Sequence, residues 1–336
     1  FSLLLRLEER MKSSNIGGQA VMEGIMMRHG DIYSVAVRKP DREIEVKTED
    51  YKSVLKNKRL LRLPIIRGVF NFIDSLVVGT KCLMYSATFF EDEEEEKREE
   101  QECSPEEQER RVAKKAKEDS VLMTVTVILS VVISVGLFMV LPYLIASLLR
   151  NVGVTETGIT LAEALVRIIL FLLYMVLISR MKDIQRVFMY HGAEHKCINC
   201  VEQGMPLTVD NVMKSSRFHK RCGTSFLFFV IIVSIIFFLG FFAVVPVKTM
   251  WLRILIRILL VPVIAGVSYE FIRLAGNTEN KAVGLLSKPG LALQKLTTIE
   301  PTPDMTEVAI AAVEAVFDWR AYLRENFPGS VPAEES

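Results

Sequence analysis

The sequence predicts an α-helical integral membrane protein. Four transmembrane helices are joined by an amphipathic or re-entrant helix and a small cytoplasmic β/α region. Three observations carry this expectation. Mean hydropathy is +0.30 although 24% of the residues are charged, so the charges must be gathered away from long apolar stretches. Val121–Leu149 runs 29 residues and Thr224–Val247 runs 24 residues without a charged side chain, each longer than the ~20 apolar helical residues that cross a bilayer core. Two further runs have spanning length with few charges: Ile159–Ile178 holds Glu163 and Arg167, and Met250–Ile272 holds Arg253, Arg257 and Glu270. The soluble alternative, four buried core helices, asks for more long apolar helices than one domain needs.

The charge totals exclude other classes. Lys and Arg number 41 against 40 Asp and Glu, which argues against a nucleic-acid binder held by phosphate attraction. Phe1–Leu7 is apolar but short, runs straight into Glu8, Glu9 and Arg10, and lacks a small-residue cleavage site, so it is not read as a signal peptide. A start at Phe1 instead of Met suggests a processed or incomplete beginning.

Lys/Arg bias sets the expected orientation. Arg110, Arg111, Lys114, Lys115 and Lys117 precede the first span, and eight basic residues from Arg180 to Arg221 lie between the second and third. The other two connections hold one basic residue each. Both termini and the loop 180–223 are therefore expected in the cytoplasm, where thiols stay reduced.

Outside the spans, 15–60 reads as a β region. Tyr33–Arg38 and Glu43–Lys47 are β-rich, Pro40-Asp41 marks a turn, and Gly17–Gly24 suggests a tight turn or close approach. Residues 64–90 are apolar with a stripe of Arg67, Asn71, Asp74 and Lys81 at helical offsets. This is a helix at the cytoplasmic surface, a re-entrant segment, or a fifth span with its stripe turned inward. Eight acidic residues in Glu91–Glu100 open a polar linker, 91–119, too poor in apolar residues to build a core. After the four-helix segment 121–273, the C-terminal region 280–325 contains a loop punctuated by Pro289, Pro301 and Pro303. It then carries a helix with apolar residues at 308, 309, 312, 313, 316 and 317, expected to pack on the β region.

Metal-ligating residues crowd into one loop. Three of the four histidines lie within 29 residues. His191, Glu194 and His195 form H-x-x-E-H, which on a helix turns all three to one side. In inverted zinc peptidases the two histidines of this pattern hold Zn²⁺ and the glutamate is the general base. Glu270 is available as an acidic third ligand, with Arg273 as its alternative ion-pair partner. A competing set, Cys197-x2-Cys200 with His219-x2-Cys222, has the spacing of a closed structural zinc site. A mixed set of His191, His195, His219 and Cys222 is chemically reasonable as well. The bland alternative is interfacial hydrogen bonding by the histidines and packing by the cysteines. Cys82 and Cys103 have no ligand-type neighbours and are read as packing residues.

GGQAVMEGIMMR at 17–28, YHGAEHK at 190–196, HKRCGTSF at 219–226 and QKLTTIEP at 294–301 resemble the YqhQ-like family of bacterial multispanning membrane proteins. The likeness covers nearly the whole chain except the acidic insert. It implies a metal-dependent enzyme of the bacterial cell membrane and carries a metal role onto His191, Glu194, His195, His219 and Cys222, with no substrate attached. Glu23, in the first motif, is either a further ligand or proton carrier, or a solvated turn carboxylate.

Together these readings predict Zn²⁺ or another divalent metal held by His191, His195, His219 and Cys222 at the cytoplasmic membrane edge, with Glu194 as general base. The first function is hydrolysis of a lipid-linked molecule or membrane peptide. The second is a non-enzymatic scaffold or a translocation or assembly factor with a structural zinc, binding a membrane complex. A transporter is disfavoured, because two spans are uncharged and offer no chain of acidic residues.

Overall fold

The computed structural model describes residues 12–55, 59–90, 121–122, 124–245, 247, 249–276 and 281–330. Phe1–Leu7, Cys103 and the acidic linker 91–119 lie outside the described residues. The chain divides into two compact units, one of residues 1–89, 175–234 and 261–336, the other of 90–174 and 235–260.

The first unit is organised around one antiparallel sheet. Strands β1 (Gly17–Val21), β2 (Gly24–His29), β3 (Ile32–Arg38) and β4 (Ile44–Asp50) pair in sequence order. Gly17–Gly24 is therefore a strand followed by a two-residue hairpin turn, Met22-Glu23, with Val21 facing Gly24 across it. β2 is apolar on both faces because both are covered. Ile25 and Met27 enter one core with Ala36 of β3, α4 (Lys182–Glu202) and α9 (Pro303–Glu314). Val21, Met26, Val35 and Val37 enter a second core with Cys82 of α1 (Ile66–Ala87). The expected docking of the C-terminal helix on the sheet is seen in detail: Val308, Ala309, Ala312 and Val313 are fully buried, and Ser34 donates to the Ala312 carbonyl at 2.6 Å.

Every member of the polar stripe of α1 has a partner, from buried Asp74 to exposed Lys81. Asp74 accepts from Tyr51 at 2.7 Å and from the Val54 amide at 2.8 Å. Lys81 pairs with Glu49. Asn71 donates to Tyr269 at 2.8 Å, and Arg67 forms a two-point ion pair with Glu270. Tyr269 and Glu270 belong to α7 (Met250–Gly276), which meets α1 where Gly68 lies against Gly266. Arg67, not Arg273, is thus the partner of Glu270. A further difference concerns Pro289. The expected loop there is α8 (Lys281–Thr297), with the proline inside the helix.

Among the described residues, four helices are long and apolar enough to cross a membrane: α2 (Thr124–Val152), α3 (Glu156–Ile178), α6 (Gly223–Val244) and α7. α1 is not one of them. In the second unit the charges within these helices are paired. Glu163 of α3 accepts from Arg167 at 2.6 Å and from Arg257 of α7 at 3.0 Å, all three side chains being at most 5% exposed. Arg257 also lies 4.7 Å above the rings of Tyr143 and Phe242. Arg167 donates to the Phe138 carbonyl at 3.0 Å. Phe138 sits in a wide π-type turn, Gly136–Val140, of α2, and such turns change the carbonyl pairing of the helix around them. Burial of these charges is tolerated because each has a counter-charge, a carbonyl or an aromatic face.

Candidate metal centre

α4 supplies the core of the site. Residues 192–202 of this helix are all buried. Tyr190, Ala193, Cys197, Ile198 and Val201 face the apolar core formed with the sheet and α9. His191, His195, Asn199 and Glu202, at offsets of 4, 4 and 3, share the opposite face. A buried polar face requires partners, and many of them come from the end of α5 (Val209–Lys214) and the segment between it and α6. Lys196 donates to the Met213 and Ser215 carbonyls at 2.8 and 2.9 Å. Asn199 donates to the Ser216 and Phe218 carbonyls at 2.6 and 3.0 Å. Gln294 of α8 clamps His219 by its amide at 2.9 Å and its carbonyl at 2.7 Å. The segment is pinned on two sides and delivers Cys222 to the start of α6.

His191, His195 and Cys222 converge, with ligand atoms all within 4.8 Å of one another. His191 Nε2 lies 3.2 Å from Cys222 Sγ. The tautomers follow from the other ring nitrogens. His191 Nδ1 is 2.8 Å from the Thr297 carbonyl, and His195 Nδ1 is 2.7 Å from the Arg217 carbonyl. A carbonyl only accepts, so both Nδ1 atoms carry hydrogen, and the tautomer this selects for a neutral ring has its lone pair on Nε2. Metal-binding histidines are oriented by this same kind of bond. Cys222 Sγ is 3.2 Å from the Thr224 hydroxyl and accepts from the Thr224 amide at 3.4 Å.

The donor set, two imidazole nitrogens and one sulfur, suits a borderline-soft divalent ion such as Zn²⁺. Ligands of a tetrahedral zinc stand about 3.3–3.8 Å apart, given bonds of roughly 2.0–2.3 Å. The side chains would close by about 1 Å to embrace such an ion. Three protein ligands are the number found where a fourth position stays open.

The remaining expected residues are placed otherwise. His219 is near, its ring centroid 5.7 Å from that of His195, but its Nε2 turns to Glu202 at 3.5 Å. It stands outside the converged three. Burial pushes its imidazole down to about 4, so it is neutral at physiological pH. Burial also pulls Glu202 upward, but His219, Arg221 and the Ser14 amide outweigh it and hold the carboxyl at about 2. With His219 neutral, Arg221 is the counter-charge that matters there. Cys197 and Cys200 do not join the site. Both are fully buried in the apolar core. Burial pushes the Cys197 thiol well up and the Cys200 thiol to about 12. Glu270 is taken by Arg67.

Glu194 is 5% exposed and backs onto β1, where the Gly18 amide donates to it. Burial raises its carboxyl to about 6, against the pull of His191 and Gly18. The glycine motif therefore does lie against the metal helix, through Gly18. Glu23 pairs with Arg186 and receives the Tyr190 hydroxyl at 3.3 Å, so it braces the start of α4 and stays away from the ligands. The fourth motif closes the site from behind. Ile299 donates its amide to the Phe188 carbonyl at 2.9 Å, and Gly192 leaves room for the Ile299 carbonyl where a Cβ would stand only 2.1 Å from it.

All four motifs thus meet on α4. Residues 63–319 match the family described as a protein of unknown function, DUF1385. "Uncharacterized protein YqhQ" of Bacillus subtilis (strain 168) is 36% identical over 311 residues, 92% of this chain and 94% of that protein. No solved structure matches the chain significantly. With three quarters of its length matched and a relative this similar from end to end, the chain belongs to the DUF1385, YqhQ-like family.

Proposed function

We propose that the protein is a membrane-embedded, metal-dependent hydrolase whose ion is held by His191, His195 and Cys222 at the cytoplasmic edge of the bilayer. The observation that supports this best is the convergence of His191, His195 and Cys222, with ligand atoms within 4.8 Å of one another and both Nδ1 atoms anchored on carbonyls. A bound zinc would act as a Lewis acid toward a substrate oxygen and toward water. This chain's residues would do the rest. Thr297 and Arg217 hold the imidazoles in register. Glu194, shielded from bulk water and raised toward neutrality, is suited to take up and return a proton. Placement beside the apolar helices favours a lipid-linked molecule or membrane peptide as substrate.

Metal quantification on the purified full chain tests the centre. One ion per chain is expected in wild type and in His219→Gln, with loss in both His191→Ala and Cys222→Ser. Retention in those two variants would remove the centre. Glu194→Gln should keep the ion and lose hydrolysis of membrane peptides or lipid-linked substrates in nanodiscs. Unchanged behaviour of Glu194→Gln, with a co-purifying membrane complex retained, would favour a structural metal in a scaffold.

A second reading rests on the 3.2 Å approach of His191 Nε2 to Cys222 Sγ. With Nδ1 anchored on a carbonyl, His191 is arranged as the base of a Cys–His nucleophilic pair. Under that reading activity survives chelators and is abolished by alkylation of Cys222; under the first, chelation abolishes it.

A further inference from the structure

Away from the metal centre, a cleft of about 660 Å³ opens where β4 ends and α1 begins. Its walls carry Arg28, Lys52, Arg62 and Arg67 against Asp31 and Asp50, four cations to two carboxylates. Two of the cations are committed. Arg67 pairs with Glu270. Arg28 stacks on Tyr51, 3.2 Å from the ring centroid, and donates to the Gly30 carbonyl at 3.2 Å. Arg62 and Lys52 are exposed and make no ion pair among the described residues. They are exposed cations at a concave surface, and among the described residues neither forms an ion pair with Asp31 or Asp50.

The surroundings point to a membrane. Val54, Leu60, Leu63 and Ile65 border this region and are 38–55% exposed. Ile65 is held at φ 67°, a left-handed conformation that a β-branched residue adopts only under constraint. Its backbone oxygen is pressed against Gly266. Gly266 stands eight residues before the end of the candidate span Met250–Leu274, about 12 Å along a helix. The lip of the cleft is therefore tied to a helix of membrane-spanning character, inside its end. In sequence, Lys56, Lys58, Arg59, Arg62 and Arg67 alternate with leucines and isoleucines over residues 56–67 without one acid. Segments of that composition lie in the interface and attract anionic headgroups.

We propose that this cleft binds the phosphate headgroup of an anionic phospholipid, with Arg62 and Lys52 as its ligands and Leu60, Leu63 and Ile65 among the acyl chains. The site is independent of the metal centre and rests only on the four-span reading.

The test uses the purified full chain in neutral detergent, with short-chain phosphatidylglycerol as probe and its affinity read by native mass spectrometry. Each headgroup-facing cation contributes about 1 kcal/mol, roughly fivefold, so Lys52→Gln/Arg62→Gln should bind about 25-fold more weakly. The remote pair Lys214→Gln/Arg320→Gln should bind as wild type. Asp31→Asn/Asp50→Asn should bind severalfold tighter, a gain that misfolding does not produce. Phosphatidylcholine should bind at least tenfold more weakly, and glycerol phosphate at equal concentration should not bind. The proposal is overturned by wild-type affinity in the Lys52/Arg62 variant, by equal binding of both lipids, or by no gain in the Asp31/Asp50 variant. Equal binding of glycerol phosphate would identify a soluble-anion site instead and overturn the lipid assignment.

Discussion

Adding a single methyl group at Gly192 should weaken metal binding without touching a ligand. A Cβ there would stand 2.1 Å from the Ile299 carbonyl oxygen, and ordinary contact begins near 3.4 Å, so about 1.3 Å must be found. Both sides of the contact are backbone, and neither can rotate away. α4 is buried over 192–202, which leaves the segment around Ile299, just after α8, to move. Thr297, two residues earlier, supplies the carbonyl 2.8 Å from His191 Nδ1. Passing on half of the displacement takes that bond to about 3.5 Å, at the limit of a hydrogen bond. Overpacking of this kind costs about 1–3 kcal/mol, and loss of an orienting bond behind a metal-binding histidine typically costs 10–100-fold in affinity. Gly192→Ala is therefore expected to hold zinc 10–100 times more weakly in competition with a chelator. Gly223→Ala is the matched control: it adjoins Cys222, yet nothing lies within 4 Å of its added Cβ, and it should bind as wild type. Equal affinity of Gly192→Ala and wild type would refute the claim that the Thr297 carbonyl orients His191.

Three other outcomes follow from the same contacts. Glu163→Gln leaves Arg167 and Arg257 facing each other without their carboxylate; removal of one partner of a buried ion pair costs about 3–5 kcal/mol, so thermal unfolding in detergent should fall sharply, and a further Arg257→Met change should restore part of the loss. Glu202 is held at about 2 in the folded state against an ordinary value near 4.3. Its folded value is the lower one, so its stabilisation, on the order of 3 kcal/mol, is present above about pH 4–5 and disappears as pH falls toward 2. Glu202→Gln should flatten the pH dependence of melting across that window. Cys200, raised to about 12, and Cys197 should resist alkylation at pH 8 in the native protein and react only after unfolding; prompt native labelling of either would contradict their placement in the core.

Several parts of this picture were legible in the sequence, and the reasons are physical. Twenty uncharged apolar residues in a row have few uses other than spanning, so α2 and α6 could be read directly; α3 and α7 were legible from length and apolar content, but the pairing that lets them carry Glu163, Arg167, Arg253 and Arg257 was not. β3 could be read because its residues are β-formers bounded by turn signals. β2 could not, since cover on both faces removes the alternation that marks a strand. The helix through Pro289 was hidden by a residue that ordinarily ends helices. At the site, His191 and His195 were legible from their spacing of four, and Cys222 from its place among the sparse metal-capable residues. His219 belongs to the same composition signal but is drawn off by Glu202, a carboxylate that spacing arguments do not weigh. The carbonyls of Thr297 and Arg217 have no side-chain signature, so the bonds that fix both tautomers were invisible. Gln294 stood in a quoted motif, yet its clamp on the His219 backbone depends on a fold in which α8 reaches the start of α6.

X-ray absorption at the zinc edge of the purified full chain tests the central claim most directly. Two nitrogens at about 2.0–2.1 Å, one sulfur at about 2.3 Å and one exchangeable light ligand are expected, with the sulfur lost in Cys222→Ser. Two or three sulfurs, a site closed by four protein ligands, or a spectrum indifferent to Cys222 would contradict it.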